Sequence, residues 1–138
     1  MAASKGKKSR YTVFISYSRR DAFIASTIAA KLRAMGIEVW LDARDVEGGD
    51  PILERILAGI DACHEAVVLI SQAAMGSQWV AFEIGAVCGQ HKRVTPVLNN
   101  VEPNAMAPLR GIQAIDLNQL QIFFGEVRRR LEALTSGE

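Results

Sequence analysis

Trp79 and Glu83 stand four residues apart in a stretch, beginning near Ser77, that reads as a helix, so an indole and a carboxylate share one helical face. Val80, Ile84, Val87 and Cys88 fall toward the other face. Such a pair can hold an acid beside an aromatic ring at a substrate. The plainer alternative, an exposed helical acid and a tryptophan plugging the core, is the commoner meaning of the pair taken alone. Arg19 shifts the balance, because the order of elements given below brings its loop to the same crevice as this helix.

Other chemistries find no support in the residue pattern. His64 and His91 lie far apart and outside any HExxH sequence, so no metal site is read, and each is expected at a surface or a helix end. Cys63 and Cys88 form no CxxC pair and read as small core residues of a protein from the reducing cytoplasm. Neither GxGxxG nor a Walker A sequence occurs, and Gly48-Gly49 marks only a turn.

These residues need a scaffold, and the 138-residue chain has the size and composition of one globular domain, with 49% apolar and 22% charged residues. A formal net charge of +1 with both signs scattered argues against direct nucleic-acid binding. The longest apolar run, Ala66 to Ile70, falls far short of the roughly 20 residues of a membrane span. Residues 1–10, with Lys5, Lys7, Lys8 and Arg10 but no apolar stretch behind them, read as a flexible basic tail. The domain is expected over residues 11–134, with 135–138 as a short C-terminal tail.

Five short apolar runs alternate with amphipathic ones, the pattern of an α/β domain with a parallel sheet. The strands are expected at Tyr11–Tyr17, Ile37–Leu41, about Glu65–Ile70, about Arg93–Leu98 and Ile112–Leu117. Ile24, Ile28 and Leu32 recur every four residues in the first helix, which Ser18 to Asp21 would open as a capping-box variant and Gly36 would close. Asp50-Pro51 suits the start of a second helix with Ile52, Leu53, Ile56, Leu57 and Ile60 on one stripe. A third helix runs from the cap Ser77 to about Gln90, and a last one carries Leu120, Phe123, Phe124, Val127, Leu131 and Leu134. Its Arg128-Arg129-Arg130 run is read as a solvated face. Pro96 cannot donate to a ladder and places the fourth strand near an edge or at a bulge.

The expected architecture is a flavodoxin-like three-layer domain: a five-stranded parallel sheet of order 2-1-3-4-5 with helices on both faces. Ligands of such sheets bind at the carboxyl ends of the strands, where the order reverses between strands 1 and 3. Ser16, Tyr17, Ser18 and Arg19 after the first strand and Ser71 and Gln72 after the third would line that crevice. A phosphoacceptor receiver is a poor fit, because the third strand ends Leu69-Ile70-Ser71 without an aspartate and Ser16-Tyr17-Ser18 replaces the acid pair. A flavodoxin is also a poor fit, since Arg19-Arg20-Asp21 is too bulky for close approach to a phosphate.

From about Tyr11 to Leu134 the chain resembles a TIR (Toll/interleukin-1 receptor) domain. Phe14-Ile15-Ser16-Tyr17-Ser18 is similar to the family's first box, and Gly36 to Asp42 to the run entering its second strand. Arg44-Asp45-Val46-Glu47-Gly48-Gly49 resembles its BB loop, although Gly48 stands where receptor members often carry proline. Ser77 to Glu83 is similar to the Trp-xxx-Glu pattern of NAD-cleaving members, whereas Phe123-Phe124 lacks the tryptophan of the family's Phe-Trp box.

The resemblance implies cleavage of the nicotinamide–ribose bond of NAD+, as substrate rather than cofactor, giving nicotinamide and ADP-ribose or a cyclic variant. Ordinary glycosidases use two carboxyl groups, one to protonate the leaving oxygen. Nicotinamide leaves as a neutral pyridine from a cationic ring, so one carboxylate suffices, and Glu83 takes that role. Trp79 and Tyr17 would pack beside the ribose or a base, with Ser18 on the same loop, and Arg19 would hold the diphosphate. Glu47, five residues after the strand-ending Asp42, is expected at the ribose or nicotinamide, and Asp42 is expected among the substrate-binding residues.

The resemblance further implies homotypic TIR–TIR self-association, in which Arg44, Asp45, Val46, Gly48 and Gly49 of one protomer's BB loop close the next protomer's site. A sensor domain or partner protein would trigger it, in prokaryotic anti-phage immunity or as an effector. The rival readings are a non-catalytic TIR–TIR interaction module in signalling and a sensor that binds a nucleotide without turnover.

Overall fold

The computed structural model describes residues 11–41, 52–102 and 111–136. Five strands, β1 (Thr12–Ser16), β2 (Glu38–Leu41), β3 (Glu65–Ile70), β4 (Arg93–Leu98) and β5 (Ile115–Asp116), form one sheet of order β2-β1-β3-β4-β5. Every pairing is parallel, with Val13 opposite both Val39 and Glu65 and Ala66 opposite Val94. The flavodoxin-like order read from the alternation is therefore the observed one.

The helices are α1 (Ala22–Ala34), α2 (Ile52–Ala62), α3 (Gln72–Met75), α4 (Gln78–Gly89) and α5 (Leu120–Ser136). Because side chains alternate along a strand, each central strand feeds two cores. Phe14, Ala66, Val68 and Ile70 pack with Ile56 and Ile60 of α2, Ala74 of α3 and Val80, Ile84 and Val87 of α4. Val13, Ile15, Val67 and Leu69 pack on the other face with Ile28 and Leu32 of α1 and Phe123 and Val127 of α5.

Local chemistry explains most boundaries. Gly36 adopts φ +86°, and the Ile37 N–H reaches back to the Leu32 carbonyl at 3.1 Å, closing α1 as expected of a left-handed glycine. Gly59 on α2 is needed for contact with β2: a Cβ there would lie 2.4 Å from Trp40 Cε3. Residues 50 and 51, expected to start α2, and the side chains of Ile52 and Leu53 lie outside the described residues; Ile56 and Ile60 do face the core.

Three expectations need correction. The fifth strand is two residues long rather than six, because Leu117 already starts a 3-10 turn capped by Asp116, whose carboxylate accepts from the Asn118 N–H at 2.9 Å. Helix α5 runs to Ser136, into the segment expected as a tail. The Arg128–Arg130 run is not uniformly solvated: Arg130 grips the fully buried Glu65 from two sides, Nε to Oε2 at 2.9 Å and Nη2 to Oε1 at 2.8 Å. Tyr11 donates its phenol proton to the same carboxylate. Burial, then the neighbouring carboxylate, pushes the Tyr11 phenol well above its ordinary range, and Glu65 raises Arg130.

The expectation for Pro96 fits its place. Beyond it, β4 pairs with edge strand β5 only at Val97 and Leu98. Among the described residues no helix is long and apolar enough to cross a membrane, and no group of three or more His, Cys, Asp or Glu side chains is placed to hold a metal ion. His64 and His91 are both exposed, and Cys63 is buried while Cys88 is half-buried against the core.

Candidate functional site

The site grows from the end of β1. Ser16 lies two residues beyond Phe14, so it continues the side of the strand that faces α4, and it is buried. Ser77 caps α4, accepting from the Val80 N–H at 3.2 Å, which aims the second turn of that helix at the carboxyl end of β1. There Ser16 Oγ donates to Glu83 Oε1 at 2.6 Å, a charge-assisted length for a carboxylate acceptor.

Glu83 is 0% exposed. The expectation that it shares a crevice-facing side with Trp79 is overturned: Glu83 joins Val80, Ile84 and Val87 on the buried stripe, and Trp79 is 41% exposed. Positions 80, 83, 84 and 87 follow the three-and-four spacing of a core stripe, which outweighs the four-residue link to position 79. The plain alternative is overturned as well, since the acid is inside and the tryptophan outside. Trp79 packs edge-on against Phe82, ring centroids 6.1 Å apart.

A second buried contact joins the carboxyl ends of β1 and β3. Ser18 caps a 3-10 turn, Arg19–Asp21, and accepts weakly from the Arg20 N–H at 3.4 Å. Asp21 does not complete a capping box. Instead its carboxylate accepts from Ser71 Oγ at 2.5 Å, while Ser71 accepts from the Ala74 N–H at 3.1 Å to start α3. Asp21 and Ser71 are 50 residues apart, and no local spacing announces their contact.

Ser16, Ser18, Asp21, Ser71 and Glu83 are thus buried polar residues at the carboxyl ends of β1 and β3, where the strand order reverses. Tyr17 is half-buried on the same loop, and Arg19 and Gln72 are exposed. Arg19 stands on a three-residue turn rather than at the start of α1. Asp42, Arg44, Asp45, Val46, Glu47, Gly48 and Gly49 lie outside the described residues. A cavity of about 460 Å³, lined in part by Lys31, Met35, Phe124 and Arg128, lies between α1 and α5, on the sheet face opposite α4.

Burying an ionised carboxylate costs several kcal/mol unless partners stabilise it. Glu83 therefore occupies a place on α4 where Val80, Ile84 and Val87 would equally pack against an apolar side chain. Such a group, once met by a ligand, opposes positive charge strongly in a water-poor setting.

Residues 13–131 match the TIR domain family. The chain belongs to that family. Among its relatives, the probable 2′ cyclic ADP-D-ribose synthase BdTIR of Brachypodium distachyon is 28% identical over 74% of this chain and 46% of its own length. The 2′ cyclic ADP-D-ribose synthase BtTIR of Bacteroides thetaiotaomicron is 27% identical over 67% of this chain and 34% of its own. This TIR domain therefore spans less than half the length of those relatives. The TIR domain of the Toll-related receptor TRR-2 from Hydra magnipapillata superposes with a TM-score of 0.70 at 18% identity, covering 87% of this chain and 97% of that one, a likeness of fold.

Proposed function

We propose that this TIR domain is an NAD+ nucleosidase in which Glu83 is the carboxylate that meets the ribose. The observation that carries the reading is a wholly buried carboxylate, hydrogen-bonded to Ser16, at the reversal of strand order. Support comes also from relatives whose names describe cyclic ADP-ribose synthesis.

In the proposed reaction the bond from the ribose anomeric carbon to the nicotinamide nitrogen breaks, and its electron pair leaves with nicotinamide, which becomes neutral. Glu83 opposes the positive charge that develops on the ribose. Water, or another hydroxyl of the same molecule, then attacks that carbon and releases a proton, giving ADP-ribose or a cyclic product. Trp79, Tyr17, Ser18 and Asp42 flank the substrate, Arg19 takes the diphosphate, and Glu47 takes ribose or nicotinamide.

Since Glu83 is fully covered, substrate reaches it only when the crevice opens. Homotypic assembly through Arg44, Asp45, Val46, Gly48 and Gly49 is the proposed trigger, driven by a sensor domain or partner protein in the cytoplasm, in anti-phage defence or as an effector. Nicotinamide release per molecule is then expected to climb with protein concentration. A second reading, a non-catalytic TIR–TIR module, draws on Met75, Trp79 and Phe82, large apolar side chains exposed on α3 and α4.

The deciding experiment measures nicotinamide release from NAD+ by the wild type and Glu83→Ala, dilute and concentrated, with a crowding agent. Release that steepens with concentration and is abolished by the substitution is expected. No release from assembled wild type transfers the function to the interaction module, and release that survives Glu83→Ala refutes the assigned carboxylate.

A further inference from the structure

We infer that Asp21 is a positioning residue for the substrate's diphosphate: its bond to Ser71 holds the turn that carries Arg19 beside the mouth of the crevice, a role that rests on the nucleosidase reading above. The proposed contacts to one substrate come from two separate segments. Arg19 stands on the turn after β1, whereas Glu83 stands on α4, which the chain reaches from β3 through Ser71, α3 and the cap Ser77. Two segments grip one ligand well only when their spacing is fixed before it arrives.

The Arg19 side chain is exposed, so the reach of its guanidinium is set by the backbone of the turn beneath it. Within that turn the Asp21 N–H donates to the Ser18 carbonyl at 2.7 Å, and the Arg20 N–H donates to the Ser18 hydroxyl at 3.4 Å. Both bonds close the turn on itself. The Asp21 side chain instead reaches outward, accepting from Ser71 Oγ at 2.5 Å, a charge-assisted length. Asp21 and Ser71 are 8% and 6% exposed, so water competes little for this bond.

Ser71 is itself held. Its hydroxyl accepts from the Ala74 N–H at 3.1 Å, and the Ser77 N–H donates to the Ala74 carbonyl at 3.0 Å, so a run of short local bonds leads from the Asp21 contact to the cap of the Glu83 helix. The Asp21–Ser71 bond thereby sets how far the diphosphate contact lies from the ribose contact. Releasing the turn leaves Glu83 and its Ser16 partner in place while Arg19 must be ordered anew by each substrate molecule.

The test is steady-state nicotinamide release by the full chain, concentrated and with a crowding agent, together with calorimetric NAD+ affinity in the Glu83→Gln background. Asp21→Ala is expected to raise KM and Kd about tenfold with kcat within about twofold, because a contact made equally in ground and transition states acts on binding alone. Ser71→Ala, which keeps the carboxylate on the turn and removes its anchor, is expected to do the same. Asp21→Asn is expected within about twofold of wild type, since its amide oxygen still accepts from Ser71. In the double variant Arg19→Ala/Asp21→Ala the two losses are expected to coincide rather than add.

A merely structural role would instead lower the melting temperature and the active fraction, and hence kcat at unchanged KM. That result, additive losses with Arg19→Ala, or a tenfold loss in Asp21→Asn would each overturn the assignment. No release from wild type that still binds NAD+ refutes the nucleosidase alone, because the affinities then decide the role of Asp21; absence of NAD+ binding overturns both.

Discussion

Glu65 and Glu83 are both 0% exposed, and they sit at opposite ends of the same sheet. At the amino-terminal end, Glu65 opens β3 and is clasped by a bidentate arginine and a phenol, whose ring stacks on His64 at 4.6 Å. At the carboxyl end, Glu83 accepts a hydrogen bond from the Ser16 hydroxyl within a helix otherwise packed through Val80, Ile84 and Val87. An arginine reaching from α5 locks the first carboxylate to the domain's last helix, which is what an ion pair made for the fold does. The second stands where α/β sheets bind ligands. Burial alone does not separate a structural acid from a reactive one; its partners and the end of the sheet do.

The comparison breaks or holds on isosteric substitutions at the two acids. Glu83→Gln is expected to lower nicotinamide release by at least about a hundredfold with little change in melting temperature, since the amide oxygen still accepts from Ser16. Glu65→Gln is expected to do the reverse, costing about 3 kcal/mol of stability with release per folded molecule unchanged. Kinetics and thermal melts on both variants check the pair, and crossed results would dissolve the distinction.

Arg130→Ala is expected to cost about 3–5 kcal/mol in denaturant unfolding, more than Glu65→Ala. The asymmetry follows from exposure. Arg130 keeps 24% of its side chain in solvent and can turn outward once its partner is gone, whereas Glu65 has no such escape. Ser16→Ala is smaller, about 1–3 kcal/mol, because it strips a donor from a buried carboxylate. Its effect on release should exceed its effect on stability if Ser16 orients Glu83.

Tyr11→Phe is the mildest, about 1 kcal/mol near neutral pH. Its signature lies in alkali. The folded phenol holds its proton above the ordinary Tyr pKa of 10.0, so its contribution is fully present below that value and is lost as pH rises through the folded pKa. Wild-type stability should therefore fall above pH 10, and Tyr11→Phe should flatten that limb of the curve. An unchanged alkaline limb would remove Tyr11 from the account.

Much of this molecule can be read locally. The bounds of β3 and β4, the closing glycine of α1 and the Ser77 cap of α4 follow from runs of apolar residues and from side chains that bond their own backbone a few residues away. Where the reading failed, the deciding partner was distant. Residues 112–114 look like strand but meet no neighbour on β4, and Arg130 looks solvated until Glu65, 65 residues earlier, is brought beneath it. Helix α3 escaped notice because four residues carry no periodicity, and only Ser71, capping it at 3.1 Å, reveals its start.

The candidate site divides along the same line. Alternating apolar strands and amphipathic helices set the parallel order β2-β1-β3-β4-β5, and with it the end of the sheet at which to look, because period and connection length leave few other arrangements. Residue type and spacing also singled out Glu83 and Trp79. Which of the two turned inward rested on how α4 rolled against β1, a matter of packing Val80, Ile84 and Val87 beneath Phe14. The Ser16–Glu83 and Asp21–Ser71 bonds arise only when segments 67 and 50 residues apart are pressed together. Contacts across such separations are fixed by the shape of the whole core, which no window of sequence contains.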